Sequence, residues 1–259
     1  TYINVNNGSA HFHLEPTSSC VIVRGATGQS TAAKSEEQRS TNPASLAAAE
    51  SSGQRAESTA SSSGIAIDGR NIPTDFAGKL VATQDNFTWF GDSGHPGGGS
   101  ELDQLFVTND ASSLKIGITG NLETNGNYWL VFLQTQPEGT STLSATSGPP
   151  SGVIASMRGT MMDEDFAPNW CLCMNTAGSV LYVDLVDLLN NTCRFLGASA
   201  VNSGSGVLTG GTNPHGALAA FDNTNTAGVT SDPGRSIAET IVDAGTATTG
   251  VEVSLPFDD

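Results

Sequence analysis

The chain has 259 residues, 37% of them apolar, and 10 Lys plus Arg against 26 Asp plus Glu give a formal charge of −16. Such a charge is repelled by nucleic acid and by anionic membrane surfaces, so neither is an expected partner. No apolar run reaches the roughly 18 residues of a membrane-spanning helix, and no membrane span is expected.

The first 25 residues read as a strand arm. Tyr2, Val5, Phe12 and Leu14 sit among polar residues, and Cys20-Val21-Ile22-Val23 is a short apolar run ahead of Gly25. Residues 26–64 are Ser/Thr/Ala-rich with almost no large apolar side chain. They read as a linker or insertion, with a short helix over 43–50 capped by Asn42 and begun by Pro43.

From Ile65 onward the pattern is β throughout, and it predicts one β domain over 65–259. Ile65–Gly69 reads as a strand entering a turn, followed by Leu80–Gln84 and Phe87–Phe90. After the loop at 95–100 come a strand over Leu102–Thr108, a turn over 109–112 and a half-buried strand over Leu114–Gly120. Asn125-Gly126 is a hairpin signal. Tyr128–Gln134 is nearly all apolar and predicts a strand buried on both faces. Trp170–Met174, Val180–Val186, Cys193–Leu196, Leu218–Phe221, Ile237–Val242 and Gly250–Leu255 complete the strands, with Ser236-Ile237-Ala238-Glu239 as the alternative start of a short helix. Many short strands with Gly-rich turns and no fixed repeat predict an all-β β-sandwich or jelly roll.

Four cysteines in an acidic chain point to an oxidising compartment and a disulfide framework. The chain opens at Thr1 without a leader, which is read as a mature, secreted product. Cys171 and Cys173 share one face of a strand, with Cα atoms about 6.5–7 Å apart, at the limit for a mutual disulfide. In a simple meander Cys193 would lie about 9.5 Å from their strand. The expected pairing therefore joins Cys20 to Cys171 or Cys173, with Cys193 taking the other through a departure from the meander.

Several motifs in order from Ile65 to the C-terminus resemble secreted bacterial β-sandwich domains related to family 9 carbohydrate-binding modules and DOMON-like domains. They are Ile67-Asp68-Gly69, Phe90-Gly91-Asp92, Gly99–Leu105, Asn109-Asp110 through Gly120–Glu123, Asp165–Trp170 and Asp222–Val229. The N-terminal arm, the insertion and the cysteines lie outside that pattern.

No catalytic constellation stands out. Asp163, Glu164 and Asp165 are adjacent on one loop and do not face one another across a cleft as glycosidase carboxylates must. His11 and His13 flank Phe12 with no third ligand nearby. In Asp222-Asn223-Thr224-Asn225, the oxygens of Asp222, Asn223 and Asn225 alternate in the hard-oxygen pattern that calcium prefers. Trp89 and Trp170, both beside turns, are candidates to stack on a sugar ring, whereas Trp129 is expected in the core. The expected function is an extracellular structural protein, a subunit of a filament, sheath or surface layer. Its partner would be another copy of itself, engaged by N-terminal strand exchange. The alternative is a carbohydrate-binding module with polysaccharide as partner, and a secreted hydrolase comes third.

Overall fold

In the computed structural model, described residues are the strand segments 2–6, 9–13 and 19–24, and then 64–84, 99–144, 152–228 and 236–259. Strands β1 (Tyr2–Asn6) and β2 (Ser9–His13) form an antiparallel pair, and β3 (Ser19–Arg24) follows. The predicted helix at 43–50, the strand at 87–90 and the rest of the insertion fall outside the described residues, apart from Gly64.

The chain then runs through helix α1 (Ile72–Asp75), β4 (Leu80–Thr83), β5 (Glu101–Asn109), β6 (Ser113–Asn121) and β7 (Asn125–Gln134). Next come helix α2 (Val153–Ser156), β8 (Trp170–Ala177), β9 (Val180–Asp187), β10 (Thr192–Ala200), β11 (Thr209–Gly210) and β12 (Leu218–Phe221). Helix α3 (Ile237–Ala244) and β13 (Gly250–Pro256) end it. The protein is all-β, with two main sheets. One has the strand order β11-β10-β9-β8-β7-β3, the other β12-β13-β6-β5-β4.

Alternation along the strands builds three apolar layers. Trp129, Val131 and Leu133 of β7, Leu172 and Met174 of β8, and Leu181, Val183 and Leu185 of β9 share one buried cluster with residues of the other sheet. Those partners include Ile116, Ile118, Phe221, Val251 and Val253. The odd and even positions of a strand face opposite ways. Leu130, Phe132, Cys171 and Cys173 therefore form a second cluster, closed by Leu143, Val153, Ile154 and Phe166. The expectation that 128–134 is buried on both faces holds for Leu130–Leu133, each at most 2% exposed. On the outside of the five-stranded sheet, Ile72 and Phe76 cover Phe106. Gly117 makes that approach possible, because a Cβ there would meet Ile72 Cγ2 at 2.7 Å.

Two expected strands are not strands. Residues 64–67 carry no ladder, and the chain turns at 68–71 into α1, with Asn71 in the left-handed region at φ 51°. Residues 237–244 are helical because Ser236 and Glu239 form a reciprocal capping box. The Ser236 Oγ accepts from Glu239 N, and Glu239 Oε2 accepts from Ser236 N at 2.8 Å. This satisfies two otherwise orphaned amides and overrides the β-branched content of the segment.

The cysteine expectation is corrected. None of Cys171, Cys173 and Cys193 is in a disulfide. Cys171 and Cys173 are not joined to each other, as expected, and their sulfurs lie 3.6 Å apart. Strands β8, β9 and β10 do form a simple meander, with Cys171 and Cys193 both opposite Val186. That register puts a strand between Cys193 and the other two. The Cys193 thiol instead contacts Asp184 Oδ1 at 3.7 Å. Burial first, and then the Asp184 charge, push the thiol up to about 12, so it is inert at neutral pH. Cys20 stands opposite Leu130 in the β3–β7 ladder, and Leu130 stands opposite Cys173, so Cys20 is likewise a strand removed from Cys173.

Candidate functional site

Two features stand out from this β fold: a strand seam at one sheet edge and a carboxylate cluster on the opposite sheet.

The seam joins β3 to β7. Six residues pair in parallel register, from Ser19 opposite Trp129 to Arg24 opposite Gln134. It is the parallel pair among the described strands, and β3 is the edge of its sheet. Without β3, the backbone amides and carbonyls on that side of β7 would have no ladder partner. The strand they belong to is among the most buried in the protein. β1 lies against β3, and β2 lies against β4, the edge strand of the other sheet.

The cluster consists of Asp68, Asp75 and Glu252, each offering a carboxylate oxygen within 4.8 Å of the others. Glu252 alternates with Val251 and Val253 on β13, so it faces away from the shared core. Its register neighbours are Gly117 on β6 and Ala220 on β12, which leave room beside it. The turn at 68–71 closes over that space. Gly250 N donates to Gly69 O, and Ile72 N donates to Thr248 O, stitching the turn to the start of β13. Gly69 has φ +82° and packs so closely that a Cβ would lie 2.6 Å from Asp222 N. Its amide and that of Asp68 donate to Glu252 Oε2 at 2.7 and 2.8 Å. Glu252 is 0% exposed, and its other oxygen, Oε1, has no hydrogen-bond partner.

The electrostatics follow from this geometry. Burial pushes the Glu252 carboxyl up to about 7, the two backbone amides pull the other way, and the charges of Asp68 and Asp75 raise it further. Asp75 is also raised, by burial and then by Asp68. The basic residue of the turn, Arg70, acts on the cluster only through its charge at Asp68. Arg70 Nε pairs with Asp222 Oδ2 at 2.6 Å, and its Nη2 donates to Asn202 O. Burial acts to raise Asp222, but Thr224 and Arg70 outweigh it and hold that carboxyl low.

A folded-state value raised above the ordinary 4.5 means that the folded protein holds a proton the unfolded chain has released. The stability from protonated Glu252 is complete below about pH 4.5 and is lost as pH rises through about 7. At about 1.4 kcal/mol per unit, the loss is about 3 kcal/mol. Denaturant titrations in a metal-free, chelator-containing buffer between pH 4.5 and 8 should show this decline, and Glu252→Gln should flatten it. Equal slopes for the two proteins would show that Glu252 titrates normally.

The residues singled out from sequence are placed as follows. The side-chain oxygens of Asp222, Asn223 and Asn225 take part in hydrogen bonds within the protein. Asp222 accepts from Arg70 and Thr224, and Asn223 Oδ1 accepts from Asn121 and Leu122. Asn225 Oδ1 accepts from Ala227 N, while its amide donates to Asp103. These contacts tie the 222–227 loop to β5 and β6. Trp170 is half-buried on β8 against the shared core, and Trp89 lies outside the described residues. Trp129 is a core residue, in edge-on contact with Phe221. Glu252 was missed because a lone Glu between two valines looks like an ordinary solvent-facing position. The available signal was the Asp68-Gly69 pair, a turn able to close on it.

No family model, curated protein or solved structure matches the chain, so the likeness to family 9 modules and DOMON-like domains rests on the motifs alone.

Proposed function

We propose that this chain is an extracellular, self-associating structural protein, a β-sandwich subunit whose N-terminal arm adds a strand to a neighbouring copy. The observation that supports the reading is the β3–β7 seam. There an edge strand from outside the main domain completes the sheet in parallel register. The arm is joined to the domain through residues 25–63, a 39-residue connection. At no more than about 3.3–3.6 Å per residue, that length spans up to about 140 Å. The same six-residue ladder can then form within one chain or between two, with no new contact surface required. A contact of arm to edge is head-to-tail, and repeated without closure it yields an open polymer. The acidic surface keeps free subunits apart in dilute solution and favours assembly in salt, where charges are screened.

Deleting residues 1–24 tests this. The truncated protein is expected to keep its two-sheet β signature by circular dichroism but to sediment as a monomer under conditions where the full chain forms large species. A synthetic peptide of residues 17–26, kept reduced, should bind the truncated protein and not the full chain. A truncated protein that assembles as readily as the full chain would defeat the reading.

A further inference from the structure

We propose that Asp68, Asp75 and Glu252 bind one calcium ion, which clamps the 68–75 segment to the final strand. Three observations carry this. The three carboxylate oxygens lie within 4.8 Å of one another, so a common point lies no more than about 2.8 Å from each, a small side-chain adjustment from calcium–oxygen distances of about 2.3–2.6 Å. Glu252 is fully buried, and Oε1 has no partner while Oε2 is fixed by two backbone amides. Burying a carboxylate oxygen with nothing to accept from is costly unless a cation meets it. The guanidinium nearest in sequence, Arg70, gives its hydrogen bonds to Asp222 and Asn202 and acts on the cluster only through its charge at Asp68.

The all-oxygen donor set selects a hard cation. Three carboxylates that converge from a turn, a short helix and a strand suit the larger, less demanding calcium shell better than magnesium's compact octahedron. Water or nearby carbonyls complete the coordination. The site is separate from the β3–β7 seam, so it stands whether or not the chain assembles.

The test is equilibrium dialysis of the full chain against radioactive calcium at pH 7.5, together with thermal unfolding in chelator, calcium or magnesium. One calcium per chain is expected, with a dissociation constant on the order of 0.1–1 mM, the range of extracellular modules. The melting temperature should rise with calcium and rise less with magnesium. Asp75→Asn, at a half-buried position on α1, should retain the native circular dichroism spectrum and weaken binding at least tenfold. Glu252→Gln should abolish binding. No binding at about 10 mM calcium, an equal response to magnesium, or calcium binding unchanged in Asp75→Asn and Asp68→Asn would each overturn the proposal.

Discussion

Trp129→Ala is expected to destabilise the protein by about 3–5 kcal/mol, the range for emptying a large aromatic site in a packed core. Trp129 is 1% exposed and packs edge-on against Phe221 of the other sheet, with ring centroids 5.3 Å apart. It therefore couples β7 to β12 across the layer that both sheets share. It also stands opposite Ser19, the first residue of the β3 ladder, so the same substitution weakens the seam from within. Urea denaturation followed by tryptophan fluorescence and circular dichroism would measure the loss. A cost below about 1 kcal/mol would mean that the two sheets do not depend on this contact.

The second large effect concerns Gly69. Gly69→Ala is expected to cost about 2–4 kcal/mol, made up of about 1–2 for a left-handed backbone and the remainder for overpacking. The methyl group would meet backbone on every side: Asp222 N at 2.6 Å, Gly250 O at 2.9 Å and Phe221 C at 3.0 Å. None of these can swing aside as a side chain would. Moving Gly69 also moves an amide that holds Glu252 Oε2, so calcium affinity should fall with stability. Gly78→Ala is the control. Gly78 has φ +72°, and a Cβ there meets nothing within 4 Å, so only the backbone part of about 1–2 kcal/mol should appear. If the two substitutions cost the same, the turn at 68–71 is not packed on β13 as described.

The strands legible in the sequence are those whose alternation reflects a two-sided environment. Leu114–Gly120, Tyr128–Gln134, Trp170–Met174 and Gly250–Leu255 all fall within observed strands, because a period-2 pattern depends only on local residues and one buried face. Misread positions depended on partners far along the chain or on a local cap. Ile65–Gly69 looks β-like, but its amides turn to a glutamate some 183–184 residues away. The Ile237–Val242 run reads as a strand until the Ser236–Glu239 box is weighed, and that local capping prevails. The loop at 222–225 has the composition of a calcium loop, yet its oxygens are spent on Arg70, Thr224, Asn121, Leu122 and Ala227. The carboxylates that do converge come from three separate elements, a grouping that no local spacing announces. The cysteines misled in a similar way. Their even number suggested bridges, whereas the register spreads Cys20, Cys173 and Cys193 over separate strands.

The central claim is that the N-terminal arm makes this chain a polymer subunit, and negative-stain electron microscopy of the purified full chain tests it most directly. Filaments or sheets of regular repeat, absent from the protein lacking residues 1–24, are the predicted result. Monodisperse single particles of one chain's size, unchanged across salt and protein concentration, would contradict it.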